Sequence, residues 1–456
     1  MISTDGKLDR RIDTDPSDAG KVTTRAGWHL LTQIAFRFCV IYFGLFCLLN
    51  PPIPFALLGA LGRWVDRGPW VTSMADPVTG WVGRTFFGVD ALLRTDSGAG
   101  DQTAIWVLVF CILVVAVIAT AVWSAPFDRR IAHPRLMAWF TLFLRLCLGG
   151  QMLSFGLAKL IPNQMPEPTL AQLLQPYGDF SPMSVMWLQV GSSHPYEIAL
   201  GAVEVVAGLL LFVPRTAVLG AALSLASTAQ ILLMNMTFDI PEKLLSSHLL
   251  LISLVLLAPH LRRLVDVFVR RRACEPLTQP ALFTDARSNR IAVWIQVALA
   301  LWVALSGVQD NWRVWQDQHG AASPKSPLYG IWEVRDFTLD GQLVPPLTTD
   351  EYRWQRLVFD DPGTATYQRM NGELVPARAV FHPDGQLELI TRTDPTDADR
   401  PPFATLSAER PTPDQLILRG QLHDRPVLIT LEHLDPNSFT LRNRGFHWVQ
   451  DYPYFR

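Results

Sequence analysis

The sequence predicts a membrane all-α helical bundle of about seven transmembrane helices, followed by a C-terminal antiparallel β-barrel-like domain. Three observations predict it. Apolar residues make up 49% of the 456 residues and charged residues only 18%, a shift towards membrane proteins. Up to Val308 the chain runs in apolar stretches of bilayer-spanning length; beyond it, short segments alternate with turns. The charge divides at the same place. Residues 309–456 hold 15 Lys+Arg against 21 Asp+Glu, and residues 1–308 hold 24 against 20. That asymmetry suits a basic-flanked membrane part joined to an acidic soluble part. Three parts follow: a disordered cytoplasmic tail (1–25), a transmembrane domain (26–308) and an external β domain (309–456).

Residues 1–25 are polar and lack the apolar core of a cleaved signal. The first span, residues 28–49, carries Gln33 and Arg37, and Asn50-Pro-Pro-Ile-Pro stops it because proline cannot continue the hydrogen-bond ladder. Segments 55–66 and 78–93 are short and amphipathic, with Trp64 and Trp81 inside them and Trp70 between, as expected of helices at a membrane interface. The second span, 104–124, has no charge. The third, 136–160, contains both Arg145 and Lys159. Fourteen residues apart, these return to within about 40° of one helix face, with Gly149, Met152 and Gly156 between them. Segment 161–195 has six prolines and no Lys or Arg. The fourth span, 196–212, places Glu204 between Gly201 and Gly208; the fifth is 217–236, the sixth ends near Pro259 and the seventh is 291–308.

Orientation follows from loop Lys and Arg. The tail, the loop with Arg129 and Arg130, Arg215 and the basic loop 261–290 share one side, whereas 161–195 is on the other. The expectation is a multi-pass protein of the bacterial inner membrane, with a cytoplasmic amino terminus and a periplasmic C-terminal domain.

After Val308 the expected strands are 328–337, 354–360, 365–370, 386–391, 403–406, 415–418, 426–431 and 438–441. Asp340-Gly, Asp361-Pro-Gly, Asn371-Gly, Asp384-Gly and Asp435-Pro-Asn supply turns between many of them. Eight or so strands in a meander would close as a small barrel. Gly330-Ile-Trp332 resembles the lipocalin Gly-x-Trp signature, with Arg442 or Arg444 as a partner over the indole; the plainer reading is that Trp332 plugs the barrel end.

Composition also excludes. The net charge of −2 points to no nucleic acid. Cys39, Cys47, Cys111 and Cys147 lie in apolar runs and Cys274 in a basic loop, without metal-ligand spacing. Walker loop, nucleophile elbow and dinucleotide fingerprint are all missing.

Charges at membrane depth normally face protein or a wet cavity. Counted along the spans, Arg37, Arg145 and Glu204 fall near the centre, while Lys159, Asn235, Asp239, Lys243 and His248 fall towards the outer side. This convergence fits either a site or an internal salt-bridge network in which Glu204 pairs with Arg145 or Arg37. Lys159 could equally snorkel to the headgroups, and His248, with Ser246 and Ser247, could simply hydrogen-bond a neighbouring helix. Beside a desolvated lysine, His248 becomes a candidate acid or base.

The runs Ser154-Phe-Gly-Leu-Ala-Lys159, Leu173-Leu-Gln-Pro-Tyr-Gly-Asp-Phe-Ser-Pro-Met183 and Asn235-Met-Thr-Phe-Asp-Ile-Pro-Glu-Lys-Leu-Leu-Ser-Ser-His248 resemble bacterial multi-pass proteins of the DoxX-like type over residues 28–272. Asn443-Arg-Gly-Phe-His-Trp-Val-Gln-Asp-Tyr-Pro453 looks like the tail some of them carry. The resemblance implies relatives of a thiosulfate:quinone oxidoreductase subunit, although that family is commonly four-span. A more distant likeness is to the membrane half of vitamin K-dependent carboxylase-like proteins, in which a lysine acts as base. The resulting expectation is a quinone or other lipophilic small molecule held in the outer half of the helices, with Lys159 and His248 at its polar head. Glu204 and Arg145 would set the local field. The alternative is a non-enzymatic scaffold whose β domain binds a periplasmic protein or a lipophile.

Overall fold

The computed structural model describes residues 29–65, 76–125, 133–273, 279–319, 324–391 and 400–455. The 1–25 tail, Trp70, Arg129, Arg130 and Cys274 lie outside the described residues. Among those described, seven helices are long and apolar enough to cross a membrane. They are α1 (Leu30–Leu49), α2 (Thr103–Trp123), α3 (Pro134–Leu160), α4 (His194–Phe212), α5 (Ala217–Thr237), α6 (Lys243–Leu257) and α7 (Ala286–His319). A 3-10 turn, Ala258–His260, and a helix, Leu261–Phe268, prolong α6. The seventh helix runs well past Val308, to His319, and no Gly or Pro falls between the two.

The charged third span is the centre of the bundle. In its most apolar stretch 61% of α3 is buried, against 22% of α2, so α3 is sheathed by protein while α2 offers its side chains to lipid. Ala207 and Leu211 of α4, Leu249 and Ile252 of α6, and Phe43 and Phe46 of α1 pack with Leu144, Leu148 and Met152 of α3 in one core. The segment after the Asn50-Pro-Pro stop departs from the expected interfacial helix. Pro52–Leu58 is helical, but it wedges inward, with Ile53 and Phe55 buried and Leu57 against Gly150. The following 3-10 stretch, Gly59–Trp64, leaves Trp64 exposed.

The C-terminal domain is a closed antiparallel barrel. Strands β1 (Gly330–Leu339), β3 (Trp354–Phe359), β4 (Thr364–Arg369), β5 (Leu374–Phe381), β6 (Gln386–Thr391), β7 (Ala404–Thr412), β8 (Gln415–Leu422) and β9 (Arg425–Leu434) pair in order, and β1 pairs with β9 to close it. The two-residue β2 (Gln342–Leu343) only hooks onto β1. Period-two alternation fills the interior: Val427, Ile429 and Leu431 of β9 meet Leu416, Leu418 and Leu422 of β8, with Trp332, Phe337 and Phe359. Two expectations are corrected. Segment 438–441 is not a strand, because Asp435-Pro-Asn starts a 3-10 turn (Pro436–Ser438) leading into the helix Thr440–Asn443. The eighth strand is instead β5, which the sequence does not announce. Its Pro376 pairs with Thr366 of β4, and among the described residues the ladder to β6 runs from Ala377↔Thr391 to Phe381↔Leu387, without Pro376.

One pair breaks the inside-outside rule. Ile331 and Val358 are register partners on β1 and β3, face away from the barrel core, and are nevertheless fully buried. The short helix Leu170–Leu174, in the connection between α3 and α4, covers them through Leu170. Asp360 completes the joint, accepting the N–H groups of Leu170 and Ala171 at 2.8 and 3.2 Å.

Candidate functional site

Helices α3 and α4 touch backbone to backbone through two facing glycine pairs. A Cβ on Gly201 would lie 2.5 Å from the Leu160 nitrogen and 2.6 Å from the Gly156 oxygen; one on Gly208 would lie 3.0 Å from the Gly149 oxygen. Small residues allow such approach where apolar burial gives helices no preference for each other over lipid. These contacts fix an antiparallel register, Gly149 opposite Gly208 and Gly156 opposite Gly201. Side chains lean towards the amino terminus of their own helix. Lys159 therefore leans back along α3 as Glu204 leans back along α4, and the two converge.

They form a buried ion pair, Lys159 Nζ to Glu204 Oε2 at 2.8 Å, with side chains 7% and 5% exposed. Two expectations are thereby corrected. Glu204 pairs with Lys159 rather than with Arg145 or Arg37, and Lys159 does not snorkel. Arg145, about four turns earlier on α3, meets the C-terminal end of α4 instead. Its Nε and Nη2 donate to the Leu211 carbonyl at 2.9 and 2.7 Å, and Nη2 reaches Gln296 Oε1 of α7 at 3.2 Å. A cation on the last carbonyls of a helix neutralises their partial charge, so Arg145 joins three helices structurally. Arg37 is at the other end of α2 from the ion pair, donating to Ser124 Oγ at 3.2 Å with its guanidinium over Trp123.

The ion pair lines a cavity of about 330 Å³ on the barrel side of the bundle. Met165, Met183, Met186 and Met234 supply much of its wall, with Phe155, Trp187, Leu200 and Ile240. Polar lining comes from Lys159, Glu204, Gln230, Asn235 and Glu242. The cavity is thus apolar and polarisable round the sides, with a charged pair at one end, the usual composition of a small-molecule site. Asn235 ties down its rim, donating to the Glu242 carbonyl at 3.0 Å and to Ser246 Oγ at 3.1 Å.

Of the residues singled out from the sequence, Lys159, Glu204 and Asn235 meet in this cavity. Asp239 and Lys243 do not line it; they pair with each other at 2.9 Å in the turn before α6, where Asp239 adopts φ of 52°. His248 is turned towards α1. Its Nδ1 lies 2.7 Å from the Leu244 carbonyl and its Nε2 2.8 Å from the Tyr42 hydroxyl. A carbonyl can only accept, so Nδ1 carries the proton and the Tyr42 hydroxyl donates to Nε2. Phe46 stacks on the ring at 3.8 Å. Both nitrogens are used, and no contact joins His248 to Lys159. The methionines and Glu242 are not legible in the sequence, being scattered over four segments. Neither is Glu197, fully buried in the first turn of α4, where Oε1 accepts the Met165 N–H at 3.1 Å and shapes the cavity wall.

In the barrel, Trp332 donates to the Leu328 carbonyl at 2.8 Å and is fully buried. Gly330 is required beside it: at φ of 146° a Cβ would lie 2.8 Å from His433 Nε2. The expected cation over the indole is Arg410 of β7, at 5.2 Å, not Arg442 or Arg444. Those two follow β9. Arg442 donates to the Pro168 carbonyl at 3.1 Å and Arg444 lies over Tyr454.

No family model matches the chain, and no solved structure matches it. The uncharacterized protein YwoB of Bacillus subtilis (strain 168) is 33% identical over 140 residues, which is 86% of that protein and 31% of this chain. Over that third of its length, this chain belongs to the family of YwoB.

Proposed function

We propose that this integral membrane protein binds a lipid-soluble molecule of the quinone class, or another lipophile with a hydrogen-bonding head, in the methionine-lined cavity. One observation carries the reading: a buried, paired Lys159 and Glu204 end an otherwise largely apolar cavity at the edge of the bundle. The lysine ammonium would donate to a head-group oxygen, Glu204 would hold the lysine charged and in place, and the Asn235 and Gln230 amides would complete the polar end. Enclosure strengthens each of these contacts relative to water. The DoxX-like resemblance, in which Phe-Gly-Leu-Ala-Lys159 ends α3, supports the same position for the lysine. Placement in the bacterial inner membrane, with the barrel in the periplasm, belongs to this proposal and is supported by the loop charges.

Mass spectrometry of lipids co-purifying with the full chain tests it. A quinone-class lipid is expected with the wild type and is reduced in Lys159→Met. Equal retention by both proteins, or a wild type carrying no such lipid, overturns the reading.

A scaffold role is favoured by a different observation. Phe446, Trp448, Val449, Tyr452 and Phe455 are more than three-quarters exposed in the C-terminal segment, and exposed clusters of this kind mark interaction surfaces. On that reading a chain lacking 445–456 loses a periplasmic protein partner in cross-linking, while lipid retention is unchanged.

A further inference from the structure

A second cavity, of about 220 Å³, adjoins the first. Phe46 and Leu49 of α1, Ile105, Leu108 and Ile112 of α2, and Leu245 of α6 make most of its wall apolar, and Asn50 and Glu242 are its polar side chains. Gly98 and Glu242 line both cavities, so the Glu242 side chain stands in the partition between them.

That carboxyl is poorly provided for. Among the described residues it makes no side-chain hydrogen bond. Gly100 presses on it so closely that a Cβ there would lie 2.5 Å from Oε2. Its neighbour Asp101 has both oxygens engaged, accepting the N–H groups of Lys243 and Leu244 at 2.8 Å each. Lys243 is drawn aside by Asp239 at 2.9 Å and lies 3.9 Å from Asp101. Across the first cavity, Lys159 and Glu204 already satisfy one another. Burial first, and then the charge of Asp101, push the Glu242 carboxyl up to about 7.

We propose that the two cavities are the head and tail compartments of one site for a single-tailed amphipathic lipid, with Glu242 as its gatepost. Protonated, Glu242 lets an apolar chain lie across the partition; ionised, it keeps its water and closes it. An apolar chain laid over a carboxylate strips hydration that the neutral acid barely needs, so the ligand and a proton enter together. The proposal rests on the head-group reading above and adds the tail compartment and its proton dependence.

The test is a titration of the full chain in nanodiscs, with a decyl-tailed benzoquinone and its tail-less parent. Only the protonated fraction is competent, and it falls from about nine-tenths to one-tenth across the Glu242 midpoint. Decyl-quinone affinity should therefore drop about tenfold between about pH 6 and about pH 8. Glu242→Gln should bind at both pH values as the wild type does at the lower one. Ile112→Trp, which fills the tail compartment, should weaken the decyl compound and spare the parent; it serves as second readout where Glu242→Gln misfolds. A flat wild-type profile, a profile kept in Glu242→Gln, or equal affinity for both quinones overturns the two-compartment site and leaves head-group binding standing. Absence of binding by either quinone at any pH overturns both.

Discussion

Lys159 and Glu204 meet at 2.8 Å because two glycine pairs bring α3 and α4 into backbone contact in a single register. Lys159 Nζ also lies over the Phe155 ring, 5.6 Å from its centroid, but only Glu204 offers it an opposite charge at hydrogen-bond distance, and each charge makes the other tolerable when buried. Removing one leaves a buried charge uncompensated, which costs about 3–5 kcal/mol, whereas removing both to apolar groups is close to neutral. Lys159→Met and Glu204→Met should each destabilise the protein strongly, and the double variant should recover most of the loss. Unfolding in mild detergent, arranged as a double-mutant cycle, measures this; additive losses would mean that the two side chains do not depend on each other.

The glycines make a separate prediction. Gly201→Ala places a methyl against the Leu160 nitrogen and the Gly156 oxygen, both backbone atoms that cannot swing aside. The helices must separate locally, at about 1–3 kcal/mol. Gly44, by contrast, has open space around it, with nothing within 4 Å of where a methyl would stand, so Gly44→Ala should be neutral or slightly stabilising. Thermal midpoints of the two variants side by side decide it, since a general cost of glycine replacement would lower both.

The seven spans are legible because runs such as Thr103–Trp123, 21 residues without a charge, reach the length a bilayer requires whatever they pack against. The partner of Lys159 is not. It depends on the α3–α4 register, and Gly149, Gly156, Gly201 and Gly208 announce close packing without saying which faces which. Trp332 is legible as a plug, but its cation is expected after β9, whereas barrel closure brings Arg410 of β7 over the ring. The strand count agrees for a mixed reason: Pro376 hides β5, and 438–441 reads as a strand in its stead. Met183 and Met186 share one short helix, Pro182–Gly191, but Met165 and Met234 come from segments far apart in the chain, so the cavity emerges only once the helices are assembled.

Trp332 should hold the barrel, and Arg410 should matter less. The indole fills the fully buried end of the core and spends its N–H on the Leu328 carbonyl. Trp332→Ala should cost about 3–5 kcal/mol. Arg410 sits over the ring from an exposed strand position, so Arg410→Ala should cost about 1 kcal/mol or less. Hydrogen exchange of β1, β8 and β9 peptides in the full chain reports both. Comparable deprotection in the two variants would make the cation, not the plug, the dominant element.

Asp360 should control how firmly the barrel is seated on the helical part. The short helix Leu170–Leu174 covers Ile331 and Val358, and the N–H groups at its start must all find acceptors. Thr169 and Gln172 satisfy each other in a capping box. That leaves Leu170 and Ala171, and both N–H groups go to the Asp360 carboxylate at the end of β3. Asp360→Ala leaves two backbone donors without their acceptor at a buried joint, a loss of about 1–2 kcal/mol. Its effect should be local. Exchange should accelerate in 169–174 and at the outer edges of β1 and β3, while the barrel interior and the spans keep their protection. Asp360→Asn, which retains one acceptor, should lie between the wild type and the alanine variant; protection lost uniformly over the barrel would instead assign Asp360 to the stability of the β domain itself.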